Sequence, residues 1–327
     1  MATFVRQQEI THRIGASGRF ILRVTDADVR LNANQDDEVR LRATFEIRAS
    51  SEAEADAIYE GARLQVTAGD GSLEAADMNA RGSLGSALGR LLSGRGTIGI
   101  SVEGTAPRAA EVRIDGVSGD LVVEGMHGEQ RYTTVSGDVL ASDLAGSLQI
   151  RTVSGDASIR AVEPMALHAE TVSGDLALVA PMLREGRLTT VSGDIELEAQ
   201  LDPAGEFRAE SVSGDLSLGL VGGVTLEVRG ISSDIHAEVD HRIEGSSDRR
   251  RVIVGDGGPR FLFSSMSGDV AIHRPRRLSS TPVPPVREAP ASPPSAEESM
   301  AILRALERGE IDVDEAQRRL AGRPFGE

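Results

Sequence analysis

A repeated corner constrains this chain more than any other feature. The string TVSGD at Thr152–Asp156 has close copies whose first Ser stands at Ser118, Ser136, Ser154, Ser173, Ser192, Ser213, Ser232 (as ISSD) and Ser267 (as MSGD). The intervals are 18, 18, 19, 19, 21, 19 and 35 residues. A near-constant period means that one small unit is copied, and such a unit buries its apolar face only against its neighbours. The last interval holds about two periods, and its interior, DHRIEGSSDRRRVIVGDGG, reads as a degenerate or extruded coil.

Counting outward from each Ser shows what the unit is made of. Six and four residues before it stand Val112/Ile114, Leu148/Ile150, Leu167/Ala169, Phe207/Ala209, Leu226/Val228 and Phe261/Phe263. Three and five residues after it stand pairs such as Leu121/Val123, Val139/Ala141, Leu176/Leu178, Ile195/Leu197 and Val270/Ile272. Apolar residues alternating on both sides of a turn mark two half-buried strands. Strict copying of one corner favours parallel stacking of like on like, about 4.8 Å apart, over an antiparallel meander. The expected architecture is therefore all-β: a parallel β-solenoid of about eight to nine coils, about 40 Å long at that spacing.

Within the corner, Gly accepts positive φ and lets the strand turn sharply, while Ser and Asp bond to nearby backbone N–H groups. Ser233 takes the Gly place in the ISSD copy. Thr or Ser two residues before the first Ser, at Thr134, Thr152, Thr171, Thr190, Ser211 and Ser265, suits a crowded bend. Two functional readings compete with turn chemistry. A serine nucleophile needs one Ser, a base and an oxyanion hole, and eight interchangeable copies with no recurrent His fit that badly. A metal strip would use the stacked column Asp120, Asp138, Asp156, Asp175, Asp194, Asp215, Asp234 and Asp269. Carboxylates about 5 Å apart repel by only about 1 kcal/mol in water, so ions are allowed but not required. The six His residues, at 12, 127, 168, 236, 241 and 273, share no ligand spacing. No catalytic, cofactor-binding or metal-ligating residue is assigned, and no cofactor is expected.

Composition narrows the function classes. There is no Cys, which removes disulfides and thiolate chemistry, and no Lys, which removes Schiff bases and the phosphate-loop lysine. A net charge of −16 argues against general nucleic-acid binding. Two basic clusters, Arg249–Arg251 and Arg274–Arg277, read as solvated loops or as charges guarding a sheet edge. No run of 18 apolar residues and no apolar signal segment occur in the sequence, so neither a membrane span nor a secretion signal is expected and the reading is cytoplasmic, with envelope association through a partner.

Residues 1–110 lack the SGD motif and read as a β-rich start and cap of the stack. FILRVTDADVRLNA and VRLRATFEIRA read as strands, and SEAEADAIYEGARL as a short helix opened by Ser51. ARGSLGSALGRLLSGRG, residues 80–96, reads as a loop without the strand and Lys of a phosphate loop. Residues 111–276 hold the repeats, 277–296 a Pro/Ser linker, and 297–327 a helical hairpin. In that hairpin Met300, Leu303 and Leu306 share a face, Gly309 stops the first helix, and Asp312 with Glu315 forms a capping box for the second.

The serial TVSGD corners with flanking alternating strands resemble the bacterial putative-adhesin family of β-strand-repeat domains of unknown function. The tail ILRALERGEIDVDEA is similar to SHOCT-like short helical hairpins. The resemblance implies a β-solenoid with no established enzymatic activity and no catalytic residues to carry over. It fits a non-enzymatic, adhesin-like interaction scaffold with a tethered helical docking element, for which a protein partner or self-association is expected and no small-molecule substrate is evident. Two alternatives stand beside it. One is a regulatory or envelope-stress sensor acting through the tail; the other is a carbohydrate-active β-helix enzyme, for which Asp240–Gly258 is the place to look.

Overall fold

The computed structural model describes residues 2–77, 98–232, 234–246 and 249–275, with the backbone alone at Ile231 and Ser232. The Gly-rich stretch 80–96, Ser233, the linker 277–296 and the expected hairpin 297–327 lie outside the described residues. Among the described residues one helix stands beside strands that join one 22-stranded sheet.

The middle of the chain behaves as the repeat demands. Its strands β8 (Glu111–Asp115), β9 (Leu121–Glu124), β10 (Glu129–Thr133), β11 (Val139–Arg151), β12 (Ala157–Glu170), β13 (Leu176–Thr189), β14 (Ile195–Leu201), β15 (Phe207–Glu210) and β16 (Leu216–Val221) pair in parallel, each copy on the next. After the Ser136 corner Val139 lies between Leu121 and Ala157; before the next corner, at Ser154, Ile150 lies between Tyr132 and Ala169. Like positions therefore stack in columns, and the alternating residues point into one continuous core. In three coils the other bend is taken inside the long strands β11 to β13, where the pairing register slips. In β11 that bend uses Asp143 and Gly146, at φ 54° and 84°.

The chain begins with β1 (Ala2–Arg13), β2 (Arg19–Arg23), β3 (Asp28–Asn34), β4 (Glu38–Ala49), α1 (Glu52–Ala62), β5 (Gln65–Gly69), β6 (Ser72–Ala76) and β7 (Ile98–Pro107). Helix α1 starts where expected, with the Ser51 hydroxyl accepting from the Glu54 N–H at 3.2 Å, and Phe45 meets Tyr59 edge-on at 5.2 Å. FILRVTDADVRLNA, however, is two strands rather than one. It turns a corner at Asp26-Ala27-Asp28, and Asp26 bridges Ser118 as one corner Ser bridges the next. Phe20 and Leu22 before the turn, and Val29 and Leu31 after it, stand at the spacing of the SGD coils and are buried like them. This coil is also out of chain order. Strand β2 lies between β6 and β8, and β3 between β7 and β9, so later segments close over an earlier one. Antiparallel β4 and β1 follow on β7, and antiparallel β5 on β6.

The last third repeats that device. Strands β17 (Val224–Ser232) and β18 (Ile235–Ala237) carry the ISSD copy, and β21 (Arg260–Ser267) and β22 (Val270–His273) the MSGD copy. Chain order would place the first of these on Ser213. Instead β21 lies between β15 and β17, and β22 between β16 and β18, so the stack runs Ser213, Ser267, Ser232. Phe207 and Phe261 consequently stack face to face with centroids 6.3 Å apart. The expected extruded coil is an antiparallel hairpin, β19 (His241–Ser246) and β20 (Arg249–Val254), which extends the sheet from β17.

One coil departs from the apolar rule. Gln130 occupies an inward position and is 1% exposed. Its amide donates to the carbonyls of Met126 (3.2 Å) and Ala145 (3.0 Å), and its oxygen accepts from the Tyr132 hydroxyl at 2.9 Å. Full satisfaction makes that burial tolerable, and burial pushes the Tyr132 phenol well up.

Candidate functional site

At the corners the backbone bonds can be accounted for one by one. In the coil of Ser154, the Ser154 N–H donates back to Val135 O (2.9 Å) and the Gly155 N–H forward to Ser173 O (3.2 Å). The Asp156 N–H donates to a carboxylate oxygen, Asp138 Oδ1, at 2.9 Å. The same bond recurs from Asp120 to Asp28, Asp138 to Asp120, Asp175 to Asp156, Asp194 to Asp175, Asp215 to Asp194, Asp269 to Asp215 and Asp234 to Asp269, at 2.7 to 3.0 Å. The Asp side chains thus form a one-way ladder, each holding the N–H of the next coil. The expected bonding of Asp to nearby backbone N–H groups thus runs from coil to coil rather than within one turn. The ladder also follows the spatial order 215, 269, 234, and its first rung, Asp28, has no SGD around it.

Glycine has two reasons to be in this corner. Gly155 sits at φ 140°, and a Cβ there would lie 2.2 Å from Gly137 O. The same collision recurs from Gly119 to Gly268, so close stacking as well as the turn excludes a side chain. The corner Thr and Ser residues are buried, and the hydroxyls of Thr152, Thr171, Thr190, Ser211 and Ser265 have no hydrogen-bond partner among the described residues. Beside them the intervening side chains point outward: Val153, Val172, Val191 and Val212 are 43–47% exposed, and Met266 60%. They make an apolar stripe along the corner, ending at Val117, which is buried.

Neither chemical reading of the corner gains support. Among the described residues no three His, Asp or Glu side chains converge as a metal site. The His side chains are dispersed: His168 meets Glu170 at 2.8 Å, and His127 meets Arg108 at 2.7 Å. His273 Nε2 lies 3.0 Å from Ser217 Oγ, with Nδ1 2.9 Å from Arg274 O, a nucleophile-and-base geometry away from the SGD motif. Ser217 stands on β16, which is paired along both edges, so the strand offers no free N–H groups to hold an oxyanion.

The basic cluster Arg249–Arg251 is a strand rather than a loop. It forms the first half of β20, between β17 and β19. Glu227 of β17, only 7% exposed, accepts from Arg260 at 2.7 Å and Arg251 at 3.4 Å, with Arg229 at 3.9 Å. Burial raises the Glu227 carboxyl, but the hydrogen bonds and charges of Arg260 and Arg251 outweigh it and hold the group below the usual carboxylate range. Arg249, Arg250, Arg251 and Arg260 line a cleft with Glu227 and Glu244. Arg276 and Arg277 of the second cluster lie outside the described residues.

The family model Toastrack DUF4097 matches residues 19–273, spanning every coil from β2 to β22. The chain belongs to the Toastrack family. That match includes the cryptic coil of Asp26 as well as the SGD repeats. Solved structures similar to this Toastrack chain include a putative adhesin from Parabacteroides distasonis (12% identity, TM-score 0.42, covering 82% of this chain and 97% of that one). Another is a putative adhesin from Bacteroides fragilis (16% identity, TM-score 0.35, covering 83% and 97%). A third is a putative lipid binding protein from Parabacteroides distasonis (10% identity, TM-score 0.39, covering 83% and 97%). Among curated proteins nothing matches. No helix among the described residues is long and apolar enough to cross a membrane.

Proposed function

We propose that this Toastrack chain is a non-enzymatic interaction scaffold: a parallel β-solenoid that presents repeated outer faces to a protein partner, with residues 297–327 as a tethered docking element. The observation that carries this reading is the valine stripe. Val153, Val172, Val191, Val212 and Met266 repeat at one side of the corner and stay 43–60% exposed. Contiguous exposed apolar rows mark interaction surfaces, whereas scattered ones do not. The ladder supports it from the other side, because the Asp column that could have been chemistry is engaged in holding coil to coil.

The test is affinity capture from lysate of the organism's own cells, comparing the full chain, the chain ended at Arg277, and a Val172→Asp/Val191→Asp variant. A partner held through the stripe is kept by the shortened chain and lost by the double variant. Capture that survives the double variant and disappears with the tail would move the function to residues 278–327.

A further inference from the structure

The hairpin β19–β20 interrupts the repeat and brings arginines together on a chain of net charge −16. We propose that the cleft it forms with β17 and β21 is a binding site for a phosphate-bearing anion, a phosphomonoester or diphosphate group.

Three observations converge on it. The first is charge. The cleft, about 430 Å³, is lined by Arg249, Arg250, Arg251 and Arg260 against Glu227 and Glu244. Glu244 is also engaged by Arg242 at 2.8 Å, and Glu227 by Arg229. Four guanidinium groups against two carboxylates in the lining leave an excess of positive charge, which a bound anion would offset. The second is pre-organisation. Glu227 is nearly buried and accepts from Arg260 at 2.7 Å and Arg251 at 3.4 Å, while both arginine side chains stay exposed, 75% and 52%, with most of their five donors each unused by that carboxylate. Paired forks match the oxygens of phosphate. The third is placement. The hairpin lies outside the Asp ladder, which continues through β21 and β22 without it; Val252 and Val254 of β20 join the core, and Arg249 to Arg251 occupy the other half of the same strand. The volume suits a compact anion rather than a duplex, and the acidic remainder of the surface opposes a nucleic-acid track.

Calorimetric titration of the full chain at low ionic strength with pyrophosphate and orthophosphate, and flotation with phosphatidylcholine vesicles with and without phosphatidic acid, test this. Saturable binding with one site per chain is expected for pyrophosphate or for the phosphatidic-acid vesicles. Binding to the free anion alone identifies a soluble ligand, and binding to the vesicles alone a lipid headgroup. Arg249→Glu and the milder Arg249→Gln should each weaken it at least about tenfold, the loss expected for one charge-assisted contact. Arg13→Glu, at a distant exposed site, should leave it unchanged. Absence of saturable binding in both formats, or equal weakening by Arg13→Glu and Arg249→Glu, overturns the proposal.

Discussion

From Ser118 to Ser213 the order of coils in space is the order in the chain; at both ends it is not. The middle coils each rest on the one just made, with Ser136, Ser154, Ser173, Ser192 and Ser213 bridged in turn. At the start β2 and β3 are enclosed by β6 and β7, and at the end β21 and β22 slide between two earlier coils. A stack of equal parallel units has two open edges, and an open edge is a hazard for uncontrolled pairing. The regular middle propagates the stack, while the interleaved ends finish it: neither terminal coil can peel away without disturbing a segment distant in sequence. Antiparallel strands then cover these ends, with β1 and β4 at one and β19 and β20 at the other.

The largest effect is expected at the interleaved coil. Phe263 is fully buried between Ala209 and Val228, so Phe263→Ala should cost about 3–5 kcal/mol in a denaturant titration. A cost under about 1 kcal/mol would mean that the final coil is not seated in the stack. Next comes the corner. Gly155→Ala forces a Cβ against Gly137 O at positive φ and should cost about 2–4 kcal/mol. Gly222→Ala, outside the stacked corners, has positive φ but no atom within 4 Å of the added Cβ, so it carries only the backbone strain, about 1 kcal/mol. Equal losses at the two glycines would show that stacking distance plays no part. Smaller again is Asp156→Ala, which removes the acceptor for the Asp175 N–H and should cost about 1 kcal/mol, whereas Asp156→Asn keeps an acceptor oxygen and should cost less. The smallest effect has the opposite sign. The Thr171 hydroxyl is buried with no partner among the described residues, so Thr171→Val should be neutral or stabilising by up to about 1 kcal/mol. Destabilisation there would reveal a bonding partner inside the column.

Much of this was legible in the residues. The apolar pairs around each Ser gave both strands, their inward faces and the parallel stacking, because position in a coil is a local property written into every copy. What the pattern does not encode is which copy sits on which. The segments around Ser213, Ser232 and Ser267 share one alternation and so fit one another in any order; long-range contacts such as Phe207 on Phe261 decide. The first coil escaped because Asp26-Ala27-Asp28 contains neither Ser nor Gly, although Phe20, Leu22, Val29 and Leu31 carry the spacing without it. A search for the apolar frame instead of the corner letters finds that coil. The arginine cleft was half legible: the cluster Arg249–Arg251 and the irregular stretch Asp240–Gly258 stand out in the sequence, but Glu227, 24 residues from Arg251, shows its tie to the cluster only in the fold.

The absence of native Cys permits a direct test of the central claim that stacking order departs from chain order. Two double variants, Ser213→Cys/Ser267→Cys and Ser213→Cys/Ser232→Cys, are oxidised under native conditions and the crosslinks are read by non-reducing peptide mapping. Disulfides form between Cα atoms about 4.4–6.8 Å apart, a separation that spans one coil step but not two. The structure predicts rapid, near-complete crosslinking of 213 with 267 and none of 213 with 232. The reverse result, 213 joined to 232, would show that the coils stack in chain order and would contradict the fold described here.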